Sequence, residues 1–352
     1  MNGRVEKLKK EMLAEKRFLS VDQAKIISRV HKEKSAEPLC IRRALALAAA
    51  FDEMNICIKE GELIVGSRTT GVRSGVVFPE CGIAWLEEEL DTLPVRSQDP
   101  FLVRPEDAAY IRECLLPEWK ERCLESQIYQ KTGPEDDRIS SVVKTNQKGR
   151  GQGHIIPDVK NWLEKGPAGL LREIRKLQEK EGLTQGQKDF YESAVISLEG
   201  CIRFFERYAR LAEELGSQEN SECREDYQKV SSCCRNLETQ PPSSYMEALQ
   251  SVWFLMACLQ MESNAASISL GRLDQYLYPW YEKDIRTGKI TEEEALELTE
   301  CFFLKFNQIV CMRSGIEAKY FAGFPIGFNL VVGGRDEKGR LLENELSFLF
   351  LK

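Results

Sequence analysis

The sequence predicts a mainly α-helical chain of the α/β class. Apolar residues return at three- and four-residue steps over long stretches. Ser/Thr-x-x-Glu helix-start signals precede two of those stretches. Only a few short runs have the apolar, β-branched character of strands.

The elements follow in order. Val5, Leu8, Met12 and Leu13 are spaced along a charged first helix, and residues 1–66 read as two or three helices before a short extended segment. Residues 40–52 (CIRRALALAAAFD) are rich in Ala and Leu, which lose little freedom in a helix. Residues 56–58 (ICI) and 62–65 (ELIV) are short extended runs parted by Lys59, Glu60 and Gly61. Residues 67–100 are dense in turn formers and are expected to wrap over the surface, and residues 100–126 return to helix.

Residues 127–160 are the least regular stretch and have the polarity of a linker. From Pro167 the helical period is strong, and Phe190, Ala194, Leu198, Ile202, Phe205 and Ala209 define one buried face. Ser244 with Glu247 predicts a capping box opening an apolar helix to about Met261. Thr291 with Glu294 repeats the device, with Ala295, Leu298, Phe302, Phe306 and Ile309 facing the core, and Gly288 stops the helix before it. Residues 328–332 (FNLVV) read as a buried strand, GRDEKGR as a turn, and residues 344–352 as the start of an amphipathic helix. That last segment offers Leu346, Phe348, Leu349, Phe350 and Leu351 with no downstream partner, so the expectation is a truncated chain, poorly soluble or oligomeric by itself.

Composition excludes some classes. The 352 residues are 42% hydrophobic and 30% charged, ordinary for a globular protein. Lys plus Arg number 49 against 56 Asp plus Glu, a formal charge of −7, and the basic residues are dispersed, which argues against nucleic acid as a partner. No apolar h-region opens the chain and no run approaches a membrane span, so a cytoplasmic location away from membranes is expected.

The twelve cysteines contain no C-x-x-C pair and only two histidines accompany them, so no metal site is predicted. They are expected to be reduced and mostly buried, in keeping with a reducing or anaerobic cytoplasm. Neither GxGxxG nor GxxxxGK[ST] nor GxSxG occurs, and Gly149–Gly153 lacks the strand–loop–helix context of a phosphate loop. His31, beside Lys32, Glu33 and Lys34, is assigned to the surface. His154 lies in an apolar island within a glycine-rich loop and has two readings, a structural histidine bonded to backbone or a substrate-orienting imidazole.

A series of motifs then falls in one order: Arg42-Arg-Ala44, Gly61-Glu-Leu-Ile-Val-Gly66, Phe78-Pro-Glu80 with Trp85, and the Gly153-His-x-x-Pro-Asp158 loop. FFERYARL at 204–211, Glu247-Ala-Leu-Gln250 with Trp253, and Met261-Glu-Ser-Asn264 follow. Gly271-Arg-Leu-Asp-Gln-Tyr-Leu-Tyr-Pro279, Asn329-Leu-Val-Val-Gly-Gly334 and Asn344-Glu-Leu-Ser347 complete the series. Together they resemble the pyruvate formate-lyase-like glycyl radical enzymes, in the diol dehydratase and choline-lyase-like branch.

The resemblance implies that residues 1–352 are the helix-rich N-terminal half of a ten-stranded α/β barrel, an N-terminal part of a pyruvate formate-lyase-like (PFL) domain. The C-terminal half, with its catalytic Gly-Cys-Val/Ile-Glu loop and radical-glycine domain, is absent. Gly200-Cys201-Ile202 imitates the cysteine motif, but Arg203 stands where Glu is expected and the segment has helical period. No Arg-Val-x-Gly-Tyr motif occurs.

By the same resemblance the family works with a glycyl radical, installed by an S-adenosylmethionine-dependent iron–sulfur activating enzyme, with no cofactor bound by this chain. The expected partners are that activating enzyme, a small-molecule substrate and a second copy in a homodimer of the full-length protein. His154 aligns with the family's substrate-binding histidine and Ser267 with a pocket serine. Ala265 and Ala266 replace a Gly-His pair, and Phe324 falls where a tyrosine occurs, which makes the wall more apolar and counts against glycerol or propanediol. The expected function is one wall of the cavity of a radical lyase or dehydratase. The alternatives are a split or non-catalytic subunit that needs a partner chain, and a formate acetyltransferase-type member.

Overall fold

Helical periodicity becomes packing in the computed structural model, which describes residues 3–133, 135, 138, 139, 142, 154–218, 223–265, 267–321 and 327–352. Helix α1 (Gly3–Ala14), α2 (Asp22–Glu33) and α3 (Leu39–Glu53) come first, with β1 (Leu19–Ser20) between α1 and α2. Strand β2 (Gly75–Val76) and the short α4 (Leu86–Glu89) follow. Residues 105–119 then form α5 (Pro105–Tyr110), a π-helical turn (Ile111–Leu115) and α6 (Leu116–Trp119), with α7 (Leu124–Thr132) after them.

Three long helices build the next layer. In α8 (Val159–Gln178) the Asp158 carboxylate caps the first turn, and Gly166, at φ +63°, lets the helix kink ahead of Pro167. A complete capping box of Thr184 and Gln187 opens α9 (Gln185–Ser217), which packs on α10 (Arg224–Thr239) and on α3. Gly200 makes the α3 crossing close, since a Cβ there would stand 3.0 Å from the Ala48 Cα. The buried face of α9 runs through Cys201, Phe204, Phe205, Tyr208 and Ala209. Phe190, expected on that face, is 63% exposed in the first turns of the helix.

Helix α11 (Tyr245–Ser263) is buried around nearly its whole circumference. Ser244 Oγ accepts from the Glu247 amide at 3.3 Å as expected, but the Glu247 carboxylate takes the Ser243 amide at 2.6 Å, so the capping box is only half formed. The 62–65 run, expected to be extended, bends at Leu63 and Ile64 and joins no described strand. Its polar backbone is met by a side chain of α11: Val65 N donates to Gln250 Oε1 at 2.8 Å, and Gln250 Nε2 donates to Val65 O at 2.7 Å.

After β3 (Ser269–Gly271), helix α12 (Leu273–Arg286) ends before Gly288, which stands at φ +67°. Helix α13 (Glu292–Gln308) opens on the complete Thr291–Glu294 capping box. Helix α14 (Gly315–Phe321), β4 (Asn329–Leu330) and α15 (Glu345–Leu349) complete the described elements.

Among the described residues the strands form two parallel pairs, β1 with β2 and β3 with β4. Single bridges extend each pair by one partner, Phe18 with Leu102 and Ile155 with Ile268.

Four expectations are corrected here. Residues 67–100 do not wrap over the surface: Val76, Val77, Phe78, Ile83, Leu86, Leu90 and Leu93 pack with Leu19, Ile27 and Trp119 in one of the cores. Turn formers reverse the chain there while the apolar residues between them are buried. His31 is buried, edge-on to the Trp119 ring at 5.1 Å with Nε2 3.2 Å from Glu80 Oε1, because it continues the Ala24, Ile27, Ser28 face of α2. Strand β4 is half exposed rather than buried. In the last segment Leu346 and Leu349 are buried against the core of α11 and α13, and Phe348 and Leu351 point outward.

None of the twelve cysteines, all of them described, is in a disulfide, and eight of them are buried. No described helix is long and apolar enough to cross a membrane.

Candidate functional site

The sheet edge at β3 carries the two candidate residues that the structure describes. Ile155 N donates to Ser267 O at 3.3 Å and Ser269 N donates to Ile155 O at 2.9 Å, a parallel bridge that sets His154 opposite Ser267. His154 is exposed and has φ +56°, a left-handed backbone unusual for a side-chain-bearing residue and of the kind held at functional sites. Ser267 is 5% exposed, and its hydroxyl donates to Gly327 O at 2.7 Å. The Ser267 oxygen keeps lone pairs to accept from an O–H or N–H brought beside it. Gly327 fits closely, since a Cβ there would stand 3.0 Å from Ser267 Oγ. Ala265 is fully buried. Ala266 and Phe324 lie outside the described residues.

Alternation along β3 turns Ile268 and Leu270 to the other face. With Leu273, Phe303, Phe306 and Phe328 they line an apolar cavity of about 400 Å³ whose described lining includes neither His154 nor Ser267.

The approach to β3 is fixed by polar groups that periodicity does not reveal. Asn264 closes α11 in a left-handed conformation, φ 47° and ψ 45°. Arg68, 2% exposed, donates to Asn264 Oδ1 at 2.8 Å, Gln260 Oε1 at 3.2 Å and Val310 O at 2.6 Å. A second buried cation, Lys305, donates to Glu62 Oε1 at 2.9 Å, which Gln308 also meets at 3.1 Å. The one available sequence signal was position: Arg68 stands two residues after Gly66 and Asn264 ends a motif, so both sit where family-like motifs meet turns.

Cys201 lies within α9, buried against Cys258 of α11, whose thiol burial pushes well up, with Cys201 adding to the shift. A helix-interior thiol with a protonated neighbour cannot be presented to a ligand on a loop. Among the described residues no cluster of three or more His, Cys, Asp or Glu could hold a metal ion.

The family described as pyruvate formate lyase-like matches residues 1–352. The chain is similar to a probable dehydratase, YbiW, of Escherichia coli K12, 31% identical over 324 residues, 90% of this chain and 40% of that protein. It is similar also to an isethionate sulfite-lyase of Nitratidesulfovibrio vulgaris, 29% identical across 95% of this chain and 42% of that one. Among solved structures, the glycerol-bound B12-independent glycerol dehydratase of Clostridium butyricum superposes with a TM-score of 0.94 at 31% identity, over 100% of this chain and 45% of that one. The chain therefore spans under half the length of the relatives it matches.

Proposed function

Because this chain belongs to the pyruvate formate lyase-like family, we propose that it forms one wall of the substrate cavity of a glycyl radical lyase or dehydratase that cleaves a C–O, C–N or C–C bond of a small molecule. The observation that carries the reading is the pairing of His154 with Ser267 through the Ile155–Ile268 bridge, from parts of the chain far apart in sequence. In the proposed division of labour, His154 and the Ser267 oxygen take hydrogen bonds from a polar end of the substrate, while Ala265, Ala266 and Phe324 enclose an apolar part. A glycyl radical elsewhere in the protein, installed by an S-adenosylmethionine iron–sulfur activating enzyme, supplies the hydrogen-abstraction chemistry. This chain's residues orient the substrate and keep water out, since aiming one C–H bond is where rate is gained.

A second reading is a split subunit that completes its cavity with another chain, for which the apolar cavity beside β3 is a contact surface.

The test is anaerobic activation of the natural gene product containing these residues, alone and with any co-purifying chain, by a matched activating enzyme. It is followed by electron paramagnetic resonance and by a screen of hydroxylated and amino-substituted compounds of a few carbons. A glycyl doublet with consumption of a panel compound is expected. A doublet only with the second chain selects the split reading, and no doublet in either sample overturns the proposal.

A further inference from the structure

The last carbonyls of a helix have no partner within it and take one from elsewhere. At the end of α11 two of these carbonyls find partners on two separate helices. Met261 O accepts from Gln23 Nε2 of α2 at 2.5 Å, and Glu262 O accepts from Arg43 Nη2 of α3 at 3.2 Å. Arg68, from the loop after Gly66, spans the turn itself. Its Nη1 reaches Gln260 Oε1 and Asn264 Oδ1, and its Nη2 reaches Val310 O. Gln260 passes the contact on, with Nε2 3.5 Å from Ala265 O.

Two chain segments leave this guanidinium. One runs from Asn264 through Ala265 to Ser267. The other runs from Val310 through α14 to Gly327, whose carbonyl accepts from Ser267 at 2.7 Å. Asn264, three residues before Ser267, and Val310 are thus held by one planar group. Lysine carries its three donors at one point on a flexible stem and lacks the planar fork that holds these acceptors in fixed directions.

We propose that Arg68 is a positioning residue for the β3 wall: it holds Asn264 in its left-handed turn, keeps the turn in register with Val310, and so fixes the Ser267 hydroxyl. The inference deepens the proposed function and rests on it for its catalytic consequence, but the clamp is testable without turnover.

The experiment compares Arg68→Lys and Arg68→Ala with a control, Arg203→Ala, which breaks an ion pair to Asp52 on the surface. Amide hydrogen exchange over residues 265–271 is the first readout, taken at a temperature where all variants are folded by melting curve. Both Arg68 variants should exchange there at least about tenfold faster than wild type, with the control unchanged. The second readout is turnover of the panel compound consumed fastest. A kcat loss of roughly 100-fold with KM within about threefold is expected for Arg68→Lys, the signature of misaimed rather than weakened binding. Wild-type exchange at 265–271 in both Arg68 variants overturns the proposal. Faster exchange with unchanged kcat overturns the positioning role. If Arg68→Ala fails to fold, Arg68→Lys alone decides both readouts. A wild-type protein that consumes nothing sinks the proposed function and leaves the clamp to be judged by exchange.

Discussion

Ser347 donates its hydroxyl to Oδ2 of Asp274 at 2.5 Å, and the same oxygen takes the Gly333 amide at 2.7 Å. Asp274 is fully buried. Three motif segments, at 271–279, 329–334 and 344–347, therefore meet on one carboxylate. Ser347→Ala removes one donor from a buried charge and should cost about 1.5–3 kcal/mol. Asp274→Ala should cost more, because it strands the Gly333 amide as well. Urea unfolding of both variants and the double variant checks this; the double variant should cost less than the two single costs added together.

The candidate wall predicts an order of severity. His154→Ala should lower kcat/KM of the natural protein more than Cys201→Ala does, since the bridge at Ile155 brings the His154 backbone opposite Ser267 and the thiol is inside a helix packing. Loss of one hydrogen bond costs about 0.5–1.5 kcal/mol, and misorientation should add a loss in kcat beyond it. Steady-state kinetics in which Cys201→Ala alone abolishes turnover would reverse the assignment.

A pH dependence follows from α12 and α15. Tyr278 donates to Glu345 Oε2 at 2.6 Å; this bond, with the Glu345 amide, holds the Glu345 carboxyl below its ordinary 4.5, and Glu345 in turn raises the Tyr278 hydroxyl above its ordinary 10.0. A depressed carboxylate stabilises the fold above its ordinary value, and that stability is lost as pH falls through the lower folded value. A raised phenol stabilises below its ordinary value, and that stability is lost as pH rises through the higher one. Tyr278→Phe should therefore lower the melting temperature across the neutral range by under about 1 kcal/mol equivalent, given the exposure of Glu345. The gap to wild type should close in acid below 4.5 and in alkali above 10.0.

Gly66 has φ +122°, and a Cβ there would stand 3.1 Å from Trp253 Nε1. Its carbonyl accepts from that indole at 2.9 Å. Gly66→Ala should destabilise by more than about 1 kcal/mol, whereas Gly182→Ala, also at positive φ but with open space around it, should cost only the backbone strain. Thermal melts of the two variants separate packing from conformation.

Periodicity made the helices legible, because burial on one face repeats with the helical turn, as Phe205 and Ala209 show. It failed for His31 because three charged neighbours masked a position whose own face, through Ala24 and Ile27, is buried. It failed for residues 67–100 because turn formers and core residues alternate there without a fixed period. The expectation that His154 and Ser267 share a site came from motif order rather than from pattern, since a bridge such as that of Ile155 with Ile268 leaves no local signal. Arg68 left little signal for the same reason: the acceptors it meets include Asn264, Gln260 and the Val310 carbonyl, all far from it in sequence.

The parallel pairings also set a timetable for folding. Leu19 waits for Gly75, Phe18 for Leu102, Ile155 for Ile268, and Ser269 for Asn329, so among the described residues no strand finds its partner in the next stretch of chain. Closing such loops is entropically costly before any ladder bond rewards it, and topologies of this kind fold slowly. The antiparallel helices α9 and α10, joined by a short connection, have no such delay. During synthesis the helical layer should therefore be in place while β3 still lacks β4, leaving an open strand edge exposed to other chains until residue 329 has emerged.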